Sequence, residues 1–379
     1  MSAKAGLFLV AAGGTGGHMF PAEATARALL ARGHRVMLVT DRRGAAHSER
    51  FAGAEVHRIA AGGVAGRDLR RRALAVFELG LGFLQARTLI ARNRPDAALG
   101  FGGYAALPSM AAALLVGIPS ALHEQNAVLG RANRLLAPRM RLIALSFEQT
   151  RALRESGRNE VVVTGNPVRP EIASRVGFPY PALGPGEPFR LLVVGGSQGA
   201  RIFGRVVPAA VAALPQDLRA RLKVDQQARP EDLEAVAAAY RAARVAAAVA
   251  PFFKDLPERL AACHLLIGRA GASTVAELAA VGRPAILVPY AHAIDDHQTA
   301  NAQAIDEAGG AWLIPERCFT AAKLASRIEA LAAVPETLAN AARAARAVAR
   351  ADAADRLAAM AERLLPANGN HDTLRAAAE

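Results

Sequence analysis

At 379 residues the chain is longer than one hydrophobic core normally supports, so two domains are the starting expectation. Hydrophobic residues make up 52% and charged residues 21%, which excludes wholesale disorder; the only cysteines, Cys263 and Cys318, can build neither a disulfide scaffold nor a zinc site, so a reducing compartment fits. A formal charge of +13 calls for nucleic acid, an anionic membrane or phosphorylated substrates, unless an Arg- and Ala-rich composition alone explains it; aromatics at 5% make poor stacking platforms, which sets nucleic acid aside.

The first apolar run, 7–10, meets a glycine-rich turn far short of a signal-peptide core. No stretch approaches the roughly 20 apolar residues of a spanning helix, because Pro108 and Pro119 break one candidate and Glu78 another. A soluble or peripheral protein is expected. Short apolar runs alternate with helix-length segments, the pattern of βαβ units and parallel sheets. Strands are expected at 7–12, 36–40, 56–59, 97–101, 120–124, 142–146 and 161–165, then at 190–195, 222–226, 249–252, 265–268, 285–290 and 311–314.

The first strand runs into Gly13-Gly14-Thr15-Gly16-Gly17-His18. Glycines let the backbone approach a ligand, and the helix entered through Phe20-Pro21 points free N–H groups and a positive dipole end at it. A nicotinamide fingerprint would need a third glycine where Met19 stands, although Asp41 does end the second strand as such enzymes require. His18, at the mouth of the turn, is either a general base for an attacking hydroxyl or a plain hydrogen-bonding residue. Arg67, Arg70, Arg71 and Arg72 precede the apolar segment 74–84, which reads as an interfacial anchor on anionic lipid or as a core helix with solvated arginines.

Prolines 167, 170, 179, 181, 185 and 188, with glycines between them, mark an extended linker. Beyond it the opening repeats: a strand runs into Gly195-Gly196-Ser197-Gln198-Gly199-Ala200-Arg201, where Ser197, Gln198 and backbone amides suit phosphate oxygens. After the strand at 265–268 comes Arg269-Ala270-Gly271-Ala272-Ser273-Thr274-Val275-Ala276-Glu277. Thr274 and Glu277 have the spacing of a capping box; alternatively Glu277 accepts two ribose hydroxyls. Asp295, Asp296 and His297, followed by Gln298 and Asn301, fall at the C-terminal edge of a strand, where open α/β sheets bind ligands; the acidic pair is a metal site or simply solvated. No Asp-x-Asp triplet occurs, so a diphosphate would be neutralised by Arg, helix ends and N–H groups, with Arg169 in Gly165-Asn166-Pro167-Val168-Arg169 well placed. The domains are expected at 1–166 and 190–340, joined by a linker at 167–189; the Ala- and Arg-rich stretch 337–365 reads as one or two exposed helices, with a C-terminal helix at 341–365 and a frayed tail at 366–379.

Together with Phe101-Gly102-Gly103-Tyr104 and His123-Glu124-Gln125-Asn126, these motifs resemble the MurG family, bacterial transferases that add N-acetylglucosamine to a lipid-linked muramyl-pentapeptide, over nearly the whole chain. The resemblance implies an α/β GT-B fold: two Rossmann-like domains with parallel sheets facing across a cleft, and a C-terminal helix returning to the first. It implies metal-independent inversion at the anomeric carbon of UDP-N-acetylglucosamine, which is the donor substrate and not a cofactor, by the 4-hydroxyl of undecaprenyl-pyrophosphoryl-MurNAc-pentapeptide. Matching positions assign the Phe253 backbone to uracil, Glu277 to ribose, and Ser197 and Arg169 to diphosphate. They place Gln198 beside it, Ala272, Ser273, Thr274, Val275 and Ala276 along the nucleotide, and Gln298 and Asn301 at the sugar. Thr15, Gly16, Gly17, His18 and Asn126 approach from the first domain, with His18 and Asn126 as the catalytic candidates. A peripheral place on the cytoplasmic face of the bacterial inner membrane follows, with an anionic membrane surface and other cell-wall synthesis proteins as partners.

The segment 224–228 departs from the family's His-Gln-Thr-Gly, which leaves that loop's role open, and 270–274 departs slightly from Ser-Gly-Ala-Leu-Thr. Three competing readings have distinct signatures. A UDP-sugar 2-epimerase would act without an acceptor, a nicotinamide dehydrogenase would bind NAD at the first turn, and a non-catalytic module would bind UDP-sugar without turnover.

Overall fold

The computed structural model describes residues 5–14, 16–45, 48–62, 69–154, 157, 159–184, 186–196 and 199–366; of Ser48, Leu69, Arg71 and Arg72 it describes the backbone alone. The chain forms two compact units, Met1–Arg169 with Asp352–Glu379, and Pro170–Ala351.

In the first unit the order is β1 (Leu7–Ala11), α1 (Gly16–Ala31), β2 (Arg35–Thr40), α2 (Arg42–Ala45), β3 (Glu55–Arg58), α3 (Leu69–Asn93), β4 (Ala97–Gly100), α4 (Ala106–Val116), β5 (Ser120–Glu124), α5 (Arg131–Leu136), β6 (Leu142–Leu145) and β7 (Glu160–Val163). The second contains α6 (Pro170–Ala173), β8 (Phe189–Val194), α7 (Arg201–Ala212), α8 (Gln216–Arg221), β9 (Leu222–Gln227), α9 (Leu233–Ala242), β10 (Ala246–Ala250), α10 (Leu256–Ala262), β11 (Leu265–Gly268), α11 (Ala272–Val281), β12 (Ala285–Leu287), α12 (His297–Glu307), β13 (Ala311–Leu313), α13 (Ala321–Ala333) and α14 (Pro335–Ala347). Last comes α15 (Ala353–Glu362), in the first unit.

The sheets run β3-β2-β1-β4-β5-β6-β7 and β10-β9-β8-β11-β12-β13, and every pairing is parallel. Each order reverses beside its first strand, between β1 and β4 and between β8 and β11. A doubly wound sheet opens a crevice at such a reversal, at the C-terminal ends of the strands. Both glycine turns lie there, directly after β1 and β8. The central strands are buried on both faces, which is why they read as unbroken apolar runs. β10 lies three residues earlier than expected, on an alanine-rich edge that pairs only with β9 and carries little strand signal.

Two expectations about connections change. The stretch expected as one or two helices is two, and only the second returns to the first unit. α14 buries Leu338, Ala341, Ala342 and Ala345 in the second unit, whereas α15 packs on α1 through Leu357, Ala358 and Ala361. Glu362 receives His34 Nε2–H at 3.0 Å and Arg32 Nη1 at 3.0 Å, and Arg363 forms a forked pair with Glu160, so the returning segment is docked by charge as well as by burial. The linker expected at 167–189 is a strap bound to the second unit from Pro170 onward. The Tyr180 hydroxyl donates to the His264 carbonyl (2.9 Å), His264 Nε2 donates to the Ala182 carbonyl (3.0 Å), and the fully buried Arg283 donates to the Pro179 carbonyl (3.0 Å). Beyond α6 the prolines forbid a helix, and the Pro179 and Ala182 carbonyls left unpaired there are taken up by Arg283 and His264.

α3 is also more apolar than expected. Within Ala73–Asn93 an 18-residue window reaches a mean hydropathy of 1.4, and by length and composition the helix could cross a membrane despite Glu78. Its inner face is that of an ordinary unit helix: Ala75, Gly82, Ala86 and Ile90 are buried, and a Cβ on Gly82 would lie 1.9 Å from the Ala60 carbonyl oxygen.

Candidate functional site

In the first unit the turn after β1 admits nothing larger than glycine. A Cβ on Gly13 would lie 2.4 Å from that of Ala105, and Gly14 has φ +85°. Asp41 fastens the turn: its Oδ1 accepts from Gly14 N–H (3.2 Å) and Gly44 N–H (2.7 Å). An acidic residue engaged in this way and buried is not presenting a carboxylate to a ribose, which removes the feature that favoured a nicotinamide site. Thr15 lies outside the described residues. Gly16, Gly17 and His18 form the first turn of α1, whose leading N–H groups have no intrahelical partner.

The turn after β4 closes on His18. Gly102 (φ +81°) and Gly103 (φ +78°) pass so near that Cβ atoms there would lie 3.4 Å from His18 Cε1 and 3.3 Å from His18 Cδ2. β5 ends in His123-Glu124-Gln125-Asn126, and its first three side chains are buried. His18 Nδ1 lies 3.1 Å from Gln125 Oε1; Gln125 Nε2 donates to the Phe101 carbonyl (2.9 Å) and to His123 Nδ1 (3.1 Å). His123 Nε2 in turn faces the Gly165 carbonyl at 3.0 Å. Burial pushes the His123 pKa down from 6.5 to about 4; the bond to Gly165 works the other way and the nearby His18 adds to the lowering, so the ring is neutral at pH 7.

Glu124 is a hub. Oε1 accepts from Asn126 N–H (3.0 Å) and Asn126 Nδ2 (3.2 Å), and Oε2 accepts from Gly130 N–H (2.8 Å) and Asn133 Nδ2 (2.8 Å). It therefore orients Asn126. Replacing Glu124 by Gln keeps the shape but puts an NH2 group against one pair of donors; Asn126 or Asn133 can flip to accept from it, yet one backbone N–H is left without an acceptor. The expected cost is about 1–3 kcal/mol, read as a lower urea midpoint, and an unchanged midpoint would show that the four bonds are not all made.

Arg169, also buried, lays its guanidinium 4.9 Å from the centre of the Phe20 ring, with Arg50 5.3 Å from the same ring. Phe20 sits beside Gly16, where a Cβ would meet the ring at 2.8 Å. The first unit thus gathers Gly16, Gly17, His18, Asn126 and Arg169 about the end of its sheet.

The second unit repeats the plan. A Cβ on Gly195 would lie 2.4 Å from Ala200 N; Gly196 and Gly199 have φ +81° and +65°, and Gly199 N–H closes the turn on the Gly196 carbonyl at 3.0 Å. Ser197 and Gln198 lie outside the described residues. After β11, α11 starts with Gly271 as its N-cap, extended (φ −64°, ψ 146°) and without a side-chain cap. Thr274 is therefore inside the helix, and the capping-box explanation of Glu277 is overturned: the cap is decided by the backbone at Gly271. Glu277 lies in the second turn, 8% exposed. Ser273 Oγ is buried and meets no hydrogen-bond partner among the described residues, beside helix N–H groups that favour an anion. Ala272 and Val275 are buried, with Ala276 half-buried, so this stretch offers backbone more than side chain.

Gln298 Oε1 accepts from Tyr290 N–H (2.9 Å), and the fully buried Asn301 donates from Nδ2 to the Ala270 carbonyl (3.1 Å), so Asn301 braces the loop that opens α11. The residues before α12 serve local structure. Asp296 Oδ1 accepts from Thr299 Oγ1 (2.6 Å) and His297 Nδ1 donates to the Ile294 carbonyl (2.7 Å). Asp295 and Asp296 both hold positive φ, 53° and 52°, a strained pair leading into Gln298. Among the described residues no three His, Cys, Asp or Glu side chains are grouped to hold a metal.

Three supports had no role in the sequence reading. Arg269 donates to the carbonyls of Val288 and Pro289 (3.1 Å each) and to Glu316 Oε2 (2.7 Å), fixing the turn that carries Tyr290. Burial opposes ionisation of Glu316, but Arg269 and the Ala291 N–H outweigh it and hold the carboxyl below its usual range. The departing segment 224–228 is structural. Asp225 pairs with Arg259, whose guanidinium lies 4.3 Å from the centre of the buried Phe253 ring, and Gln226 accepts from the Tyr240 hydroxyl at 2.5 Å. Each contact joins residues from separate elements, so adjacency in sequence could not reveal it; the charged residues themselves were the only available signal.

Comparison with known proteins agrees with this architecture. Residues 8–144 match the glycosyltransferase family 28 N-terminal domain and residues 190–357 match the glycosyltransferase family 28 C-terminal domain. The UDP-N-acetylglucosamine--N-acetylmuramyl-(pentapeptide) pyrophosphoryl-undecaprenol N-acetylglucosamine transferase of Paramagnetospirillum magneticum is 53% identical over 366 residues, 97% of this chain and 99% of that protein. The protein of the same name from Rhodospirillum centenum is 56% identical over 350 residues, 92% of each chain. The crystal structure of Acinetobacter baumannii MurG superposes with a TM-score of 0.76 at 29% identity, covering 94% of this chain and 99% of that one. With two parallel-sheet α/β units of the GT-B class and relatives this similar along their whole length, the chain belongs to the MurG family of glycosyltransferases.

Proposed function

We propose that this chain is an inverting N-acetylglucosaminyltransferase that moves N-acetylglucosamine from UDP-N-acetylglucosamine to the 4-hydroxyl of lipid-linked N-acetylmuramyl-pentapeptide, turning lipid I into lipid II in peptidoglycan synthesis. The observation that carries this reading is His18, held by the buried Gln125 at a glycine turn that opens a helix. His18 takes the proton of the muramyl hydroxyl as its oxygen bonds to the anomeric carbon; the bond from that carbon to the diphosphate oxygen breaks, and UDP leaves with the electron pair. Gly16, Gly17, Thr15 and Asn126 serve the acceptor side, where the α1 N-terminus suits a pyrophosphate.

For the donor, the Phe253 backbone takes uracil, Glu277 the ribose, Ser197, Gln198 and Arg169 the diphosphate, and residues 272–276 the nucleotide. Gln298 and Asn301 reach the sugar. Diphosphate charge is met by Arg169 and by the N–H groups opening α7 and α11, and no cofactor or metal is assigned a role. One-step displacement predicts a product whose new glycosidic bond has the anomeric configuration opposite to the donor's, read from proton NMR of the isolated lipid. Retention would contradict it.

The chain works peripherally at the cytoplasmic face of the membrane. On α3, Leu74, Phe77, Leu81 and Leu84 stand 40–68% exposed at helical spacing, forming one apolar stripe that starts just after Arg70. Arg67 lies outside the described residues, as do the side chains of Arg71 and Arg72. Burying one such side chain in lipid is worth about 1.5–3 kcal/mol. Phe77→Glu with Leu81→Glu should therefore weaken binding to phosphatidylglycerol vesicles by about 100-fold or more, and added salt should weaken the wild type. Indifference to both would leave the stripe without a membrane role.

A further inference from the structure

The chain of contacts behind His18 has a direction, and the direction follows from chemistry alone. The Phe101 carbonyl can only accept, so the Gln125 group 2.9 Å from it is the amide NH2. The same nitrogen lies 3.3 Å from the His123 carbonyl, which also can only accept. The other end of the amide, Oε1, is thereby turned toward His18. An amide oxygen cannot donate, so at 3.1 Å it must receive a proton from His18 Nδ1.

His123 locks this arrangement from behind. Its Nε2 faces the Gly165 carbonyl at 3.0 Å, so that nitrogen carries the ring proton, which leaves Nδ1 as an acceptor 3.1 Å from Gln125 Nε2. Ser146 fits the same pattern: its hydroxyl donates to the Glu124 carbonyl (2.8 Å), leaving its oxygen as a second acceptor for His123 Nε2–H at 3.4 Å. Gln125 and His123 are almost wholly buried, so water does not compete for these groups. On the far side of the His18 ring stand the glycines of the 102–103 turn; even a Cβ added to Gly103 would lie 3.7 Å from Nε2, so bare backbone leaves that nitrogen room.

We propose that Gln125, locked by His123, is a positioning residue that fixes His18 with its proton on Nδ1 and its lone pair on Nε2, making Nε2 the nitrogen that receives the acceptor's proton. On transfer the ring becomes an imidazolium whose Nδ1–H stays on Gln125 Oε1, so the base gains its proton without turning. A neutral amide holds the tautomer without the permanent negative charge that a carboxylate would bring. The inference rests on His18 acting as the general base, but the tautomer itself can be measured without reference to catalysis.

Two variants separate the tautomer from the scaffold. Gln125→Leu and Gln125→Glu both lose the donors to Phe101 and His123, but only the leucine loses the acceptor facing His18. On the full-length enzyme, Gln125→Leu should lower kcat by between about 10- and 1000-fold with KM for UDP-N-acetylglucosamine changed less than about threefold, and Gln125→Glu should retain at least about tenfold more kcat. Nitrogen NMR of isotope-labelled wild-type protein above neutral pH should show His18 protonated at Nδ1, and in Gln125→Leu the protonated nitrogen should shift toward Nε2. A wild-type His18 protonated at Nε2, or equal kcat losses in the two variants, would overturn the proposal. His18→Ala with undiminished kcat would instead remove the base itself, even with the tautomer as expected.

Discussion

Replacing His18 with alanine should lower kcat by about 10²–10⁴-fold while leaving the affinity for UDP-N-acetylglucosamine within about threefold, because a general base contributes on that scale in the transition state. The split matters more than the size. His18 belongs to the first turn of α1 in the first unit, whereas Phe253, Glu277 and Gln298 belong to the second. If alanine raised KM for the donor and left kcat intact, His18 would be a binding residue and the proton would have to leave by another route.

The second large effect is on stability. Lowering the first-unit core through pH 6.5 toward about 4 should cost on the order of 3 kcal/mol through His123 alone. Its folded pKa lies below the unfolded value, so the unfolded chain takes up the proton first as pH falls. The contribution is complete above about pH 6.5, declines between 6.5 and about 4, and is gone below that. A protonated His123 also turns Nδ1 from acceptor to donor against Gln125 Nε2, so the support of His18 fails over the same range. Urea unfolding at pH 7 and pH 4.5 should show a larger loss for the wild type than for His123→Gln. The same loss in both would place the acid sensitivity elsewhere.

Much of this architecture is legible in the sequence, for a physical reason. The central strands, buried on both faces, are unbroken apolar runs and stand where expected; β12 ends at Leu287, short of the expected 290, and β10 begins three residues early because alanines carry little preference for a strand. The doubled glycine turn is equally plain, since no other residue fits where Gly13 and Gly195 meet Ala105 and Ala200. The stretch 337–365 reads as one or two helices, but where α14 ends is not legible. Buried positions Ala345, Ala353, Leu357 and Ala361 keep a four-residue beat across the break, no glycine or proline marks it, and the two helices part because they bury against different units.

At the site, residue identities were readable and their partnerships were not. Gln125 could be named within a motif, but its task depends on Phe101, His123 and His18 meeting at the ends of different elements. For Glu277 the spacing offered a capping box beside the ribose reading, and the backbone at Gly271 removed the box. Asn301 could be named as a sugar contact, but its bond to the Ala270 carbonyl joins residues 31 positions apart that spacing does not connect.

The central claim is that sugar passes from a nucleotide to a lipid-borne hydroxyl. Release of UDP from UDP-N-acetylglucosamine, measured with purified protein in the presence and absence of lipid-linked muramyl-pentapeptide, tests it most directly. Release should be fast with the acceptor, negligible without it, and matched one for one by glycosylated lipid. Release or epimerisation of the donor at the same rate without acceptor, or binding with no turnover in either case, would contradict it.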